Sequence, residues 1–204
     1  MDTPNLYLPA HFAAPRAEQE AFMRAHPFVL LVAVEAGLPL INHVPVLLAA
    51  DATSLRFHLA RANPLTDALR RVAAASVVFH GPHAYVSPRW YAQPNVPTWN
   101  YAAVHASGPV RTLDAASTAQ LVADLSRVYE GPAGLGDFEQ SPVYSQLLGG
   151  ITGFELTVAA CVGKFKLSQN RTPADRASVI AELAQDAHSE VRETAAMMRA
   201  LDGL

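Results

Sequence analysis

The stretch His58-Leu59-Ala60-Arg61-Ala62-Asn63-Pro64 sets an imidazole, a guanidinium and the opening of a helix within a few residues. Pro64 suits the first helical position, where its missing N–H costs nothing, and Asn63 then becomes the N-cap. Open backbone N–H groups at a helix start, the positive end of the helix dipole and a neighbouring arginine together favour an anion, and a phosphate monoester fits. The same residues also make an ordinary capped helix with a surface arginine, which is the commoner case. Leu40-Ile41-Asn42-His43-Val44-Pro45 puts polar residues into a hydrophobic strand, with proline two residues after the histidine. An interrupted ladder leaves backbone N–H and C=O groups to be satisfied by something other than a strand. A flat heterocycle with alternating donors and acceptors, such as a flavin or a pterin, could satisfy them. An edge strand beside solvent is the simpler reading.

Only two lysines occur, Lys164 and Lys166, one residue apart. On a strand they would share a face. With Arg171 and Arg176 they make a positive run opposed only by Asp175, either a site or a solvated strand end. The histidines His43, His58, His80, His83 and His105 include a His80-Gly81-Pro82-His83 spacing that could ligate metal. No HExxH, paired cysteines or acidic neighbours complete it, so no metal site is expected. A G-x-S-x-G elbow, a G-x-G-x-x-G turn and a Walker A loop are all missing, which removes the usual signals of serine hydrolases and of NAD and nucleoside triphosphate binders.

The elements that would carry these residues follow from pattern. Helix is expected over Ala17–Ala25, Leu65–Val72, Ala115–Tyr129 and Pro142–Leu148, and again after Thr172-Pro173, a cap followed by a first-turn proline. Strands are expected over Phe28–Val34, Leu38–Ala49, Leu55–Ala60, Ser76–His80, Ala84–Ser87, Thr98–Arg111 and Ile151–Val162. Pro39 and Pro45 imply an edge or a bulge, because proline donates nothing to a ladder. Strands follow one another without crossover helices, which favours an antiparallel barrel with α additions over a doubly wound fold.

Length and composition bound the rest. The 204 residues make one domain (1–204), with residues 173–204 as appended C-terminal helices. Half of the residues are hydrophobic and 16% are charged, which excludes disorder as the main state. No apolar run approaches the ~20 residues of a membrane helix. The start Met1-Asp2-Thr3-Pro4-Asn5 carries no signal-peptide pattern, and one cysteine, Cys161, fits a reducing compartment. A soluble, cytoplasmic protein with no membrane partner is expected. The net charge of −3 gives no overall basic footprint for nucleic acid.

Taken in order, several of these segments resemble one family. They are Arg24-Ala25-His26-Pro27-Phe28, His58-Leu59-Ala60-Arg61-Ala62-Asn63-Pro64, Gly81-Pro82-His83-Ala84-Tyr85-Val86-Ser87-Pro88, Val96-Pro97-Thr98-Trp99-Asn100-Tyr101 and Lys166-Leu167-Ser168-Gln169-Asn170-Arg171. As a set they resemble the FMN-binding negative transcriptional regulator family, the PaiB-like proteins, from Leu6 to about Leu183. The resemblance implies a mainly β fold with α additions, an antiparallel FMN-binding split β-barrel with inserted and C-terminal helices. It also implies a homodimer with FMN at the subunit interface. By position, Ile41, Asn42 and His43 would run along the isoalloxazine edge, while His58, Leu59, Arg61 and Asn63 would meet the ribityl phosphate. His105 would lie on a strand near the interface. Lys166 and Gln169 would cover the flavin from the same or the partner subunit.

Two functions remain open on this reading. One is a regulator with FMN as sensed or structural cofactor. The other is a flavin-dependent oxidoreductase with an unidentified small substrate, for which His43 or His105 is the best acid–base candidate. From Asp175 onward the C-terminal helices carry Asp175, Glu182, Asp186, Glu190, Glu193 and Asp202 against Arg176, Arg192 and Arg199. DNA would repel a recognition helix of that sign, so any effect on transcription is expected to be indirect.

Overall fold

The structure is a computed structural model and describes residues 6–201. The Met1–Asn5 start and Asp202 lie outside the described residues. Six α-helices are present among the described residues: α1 (Arg16–Ala25), α2 (Pro64–Arg71), α3 (Ala115–Glu130), α4 (Pro142–Leu148), α5 (Pro173–Leu183) and α6 (Ser189–Leu201). The strands are β1 (Phe28–Glu35), β2 (Leu38–Pro45), β3 (Leu47–Leu48), β4 (Ser54–Ala60), β5 (Ala75–Val86), β6 (Thr98–Gly108), β7 (Val110–Thr112), β8 (Ile151–Thr157) and β9 (Ala160–Lys166). They form two sheets, ordered β2-β1-β5-β6-β9 and β3-β4-β8-β7, and among the described residues they close no barrel. The pairings of β1 with β2 and β5, and of β4 with β3 and β8, are antiparallel.

Three expected strands prove to be two each, because the chain changes sheet inside them. Leu38–Ala49 divides at Val46, whose N–H donates to Pro27 O at 2.8 Å instead of continuing the β1 ladder. Thr98–Arg111 divides at Pro109, which has no N–H to offer. Ile151–Val162 divides at Val158-Ala159, where the two N–H groups donate to Thr53 O and Ser107 O. The last two corners meet at Gly108: a Cβ there would collide with Thr157 O, so only glycine allows the approach. Conversely, Ser76–His80 and Ala84–Ser87 join into the single strand β5. Gly81 and Pro82 lie within it, since the fixed φ of proline is compatible with extended backbone.

The described chain divides into two compact units, one of residues 6–19, 80–104 and 162–201 and the other of residues 20–79 and 105–161. In the second unit, alternation on β4 turns Leu55, Phe57 and Leu59 inward, and Phe154 and Leu156 of β8 lie opposite. The Phe57 and Phe154 rings stack at 5.7 Å, and each buried ring contributes about 1.5–3 kcal/mol of transfer free energy. Outside this sheet α3 lays down a stripe of Leu121 and Leu125, which packs with Leu113 and Leu47. In the first unit the buried side chains include Val86, Ala102, Leu167, Val179, Leu183 and Met198.

Candidate functional site

In the second unit, β4 runs directly into α2, and the sequence dictates the junction. Asn63 caps the helix, its Oδ1 accepting from Leu65 N at 2.9 Å, and Pro64 takes the first turn. Thr66, fully buried, donates its hydroxyl to Ala60 O at 2.8 Å and its N–H to Asn63 O. The Asn63 N–H goes to Ala60 O. The backbone donors expected to stand open for an anion are therefore spent within the chain, so the capacity to hold one passes to side chains.

Arg61 supplies that capacity. Its N–H donates to Gly150 O and its Nε to Ile151 O at 3.1 Å, which fixes the guanidinium against the start of β8. Its terminal nitrogens have no carboxylate partner among the described residues. Arg61 borders a cavity of about 470 Å³ whose wall also includes Arg70 and the hydroxyl residues Thr112, Thr118, Ser145 and Thr152. Among the described residues no acidic side chain lines it. Arg70 is partly neutralised, with Nη1 on Asp67 at 2.8 Å and Nη2 near the Thr152 hydroxyl at 3.3 Å. A concave site with one unpaired guanidinium, a second shared one and several hydroxyls suits a phosphate ester. Nothing in the sequence singles out Arg70 or the four hydroxyl residues. They come from α2, β7, α3, α4 and β8, and no local spacing links them.

Leu59 points into the core, whereas His58 is half-buried on the opposite face of β4, paired in register with Gly153. Its Nδ1 is sealed from solvent without a hydrogen-bond partner, and burial holds its pKa below the ordinary histidine value. Half-buried His105 on β6 is shifted the same way for the same reason. Ile41, Asn42 and His43 lie on β2, opposite Val32, Leu31 and Leu30 of β1. Because β2 ends its sheet, the backbone groups along its outer edge are unused by any strand, and both Pro39 and Pro45 fall on this edge strand. Ile41 and His43 are exposed, and the His43 ring stacks 5.9 Å from that of Phe28.

The two remaining candidates belong to the first unit. Lys166 and Lys164 do lie on one strand, β9, but each ammonium is tied to the protein. Lys166 Nζ donates to the Thr98 hydroxyl and to Trp99 O, and Lys164 Nζ donates to Tyr7 O at 2.8 Å. Burial, with the nearby charges of Arg171 and Lys164, holds the Lys166 pKa below the usual lysine value. The Gln169 amide closes its own loop, accepting from Leu167 N at 2.7 Å and donating to Phe165 O at 2.5 Å. Among the described residues no group of three or more His, Cys, Asp or Glu could hold a metal ion.

Comparison with known proteins gives this geometry its family. The family model described as "Putative FMN-binding domain" matches residues 6–160. The chain is 32% identical over 200 residues to "Protease synthase and sporulation protein PAI 2" of Bacillus subtilis, covering 95% of this chain and 96% of that one. Among solved structures, the flavocytochrome Anf3 from Azotobacter vinelandii superposes with a TM-score of 0.60 at 16% identity, covering 86% of this chain and 80% of that one. The FAD and heme binding protein from Mycobacterium smegmatis gives 0.59 at 15%, covering 74% and 71%. At such identities these structures speak for the fold alone. The family match over 155 of 204 residues, together with the Bacillus relative, carries the assignment: the chain belongs to the FMN-binding domain family, and its cofactor is a flavin.

Proposed function

We propose that this chain holds FMN with the phosphate in the cavity beside Arg61 and the ring along the open edge of β2, at Ile41, Asn42 and His43. The observation that carries this reading is the Arg61 guanidinium, held by Ile151 O against a wall of hydroxyls that contains no carboxylate among the described residues. Arg61 supplies the charge, Thr112, Thr118, Ser145 and Thr152 offer hydroxyl donors, and Arg70 adds a second cation that Asp67 moderates. When bound, the flavin supplies reversible electron chemistry. The outer edge of β2 offers alternating N–H and C=O groups to a flat ring, and Asn63 with Thr66 holds the β4–α2 turn rigid behind the phosphate.

The active form in this reading is a homodimer with the split-barrel arrangement of the PaiB-like proteins, and its biological role is regulation that acts indirectly on transcription. The Bacillus relative, whose name ties it to protease synthesis and sporulation, supports a regulatory role. The composition of α5 and α6 supports an indirect one. Asp175, Glu182, Glu190 and Glu193 outnumber Arg176, Arg192 and Arg199, and Asp186 lies between the helices.

Arg61→Ala tests the phosphate assignment. Loss of a charge-assisted contact costs about 1.5–3 kcal/mol, or roughly ten- to hundred-fold in FMN affinity. Riboflavin, which lacks the phosphate, should bind the native protein weakly and ignore the substitution. Equal weakening of FMN and riboflavin would make Arg61 a purely structural residue.

A further inference from the structure

The first unit contains a second cavity, of about 500 Å³, that the proposed phosphate and ring placement does not use, although Gln169 at its rim is one of the residues the family resemblance sets over the flavin. It lies where the loop after β9 meets the first turns of α5, with Leu201 of α6 completing the wall. Its lining has two chemistries. Arg171 and Arg176 supply guanidinium groups, while Pro173, Ala177, Ile180 and Leu201 supply apolar surface, and among the described residues no acidic side chain lines it. We propose that this cavity binds a small organic carboxylate with a compact apolar body.

Arg171 is the residue that receives the carboxylate. Its guanidinium carbon lies 5.0 Å from the centroid of the Tyr91 ring, a cation–π contact that anchors the side chain at the cavity wall without neutralising its charge. No carboxylate pairs with it among the described residues. The neighbouring acid, Asp175, accepts from Ala92 N at 2.9 Å and is not part of the wall. Arg176 plays another part. It is buried, with Nη1 donating to Leu167 O at 2.5 Å and Nη2 to Met198 O at 3.3 Å, so it fixes the loop and α6 around the cavity. Gln169 completes the rim with an amide already committed to its own loop. The volume falls in the range of small-molecule sites, and the pairing of one available guanidinium with an aliphatic wall selects an amphipathic monoanion over a bare ion.

The test is calorimetric titration of the full chain, saturated with FMN, using benzoate, benzamide and acetate as probes. Benzoate should bind saturably. Benzamide, its uncharged counterpart, and acetate, which lacks the apolar body, should each bind about ten-fold more weakly or worse. Arg171→Gln should lose benzoate binding while keeping the circular dichroism spectrum and FMN affinity. Ala177→Glu, which puts a carboxylate on an exposed helical position of the wall, should do the same. Absence of saturable benzoate binding, undiminished binding by Arg171→Gln, or acetate binding as tight as benzoate would each overturn the proposal.

Discussion

Arg61 and His58 sit three residues apart on one strand end, and their environments push them to opposite behaviour. The arginine lies at the rim of a cavity, whereas burial lowers the pKa of His58, whose Nδ1 has no hydrogen-bond partner. The folded pKa values of His58 and His105 lie below the ordinary value of 6.5, so the unfolded chain takes up protons first as pH falls. Stability from these two groups is intact above that value and is lost as pH drops through it toward their folded pKa values. Urea midpoints should therefore fall between about pH 7.5 and pH 5.5, and His58→Gln should shrink the fall. An unchanged pH slope in His58→Gln would assign the effect to His105 or to the carboxylates. Single residues with local chemistry are the most legible part of the sequence: Asn63 and Thr172 cap α2 and α5 as expected, because a cap needs only its own turn. The cavity beside Arg61 is not legible there, since Arg70, Thr118, Ser145 and Thr152 meet only through folding.

Among the elements, helices are more legible in the sequence than strands, and the reason is physical. A helix closes its hydrogen bonds within itself, so its ends follow from caps and prolines. A strand takes its identity from neighbours that the local sequence does not contain. Nothing in Leu38–Ala49 or Ile151–Val162 reveals that the chain passes from one sheet to the other at Val46 and at Val158-Ala159. The corner at Gly108 offers a sharp test. Because a methyl group there would overlap the backbone oxygen of Thr157, Gly108→Ala cannot be absorbed by a side-chain shift, and the backbone at Thr157 must move. The loss should exceed the ~1–3 kcal/mol of ordinary overpacking. Thermal unfolding within a degree or so of the native protein would show that this corner is softer than its geometry implies.

At the scale of the molecule, the β1–β2 hairpin presents Phe28, Val34, Leu38 and Ile41 to solvent, a concentration of apolar side chains that suits the proposed subunit contact. Sedimentation should give a dimer at micromolar concentration, and Ile41→Glu should shift it toward monomer; a native monomer with FMN bound would refute the interface. The outer edge of β2 has one further consequence. An unpaired, largely apolar sheet edge is a template for strand-by-strand growth between chains, and such growth ends in fibrils. Pro39 and Pro45 stand near the two ends of that edge, and neither has an N–H to lend to an incoming strand. They leave the middle, Ile41 to His43, able to receive a small flat molecule while denying an intruding chain a continuous run of pairing. Replacing both by threonine should leave the fold in place and shorten the lag before thioflavin-positive aggregates form, most of all when the protein is stripped of flavin.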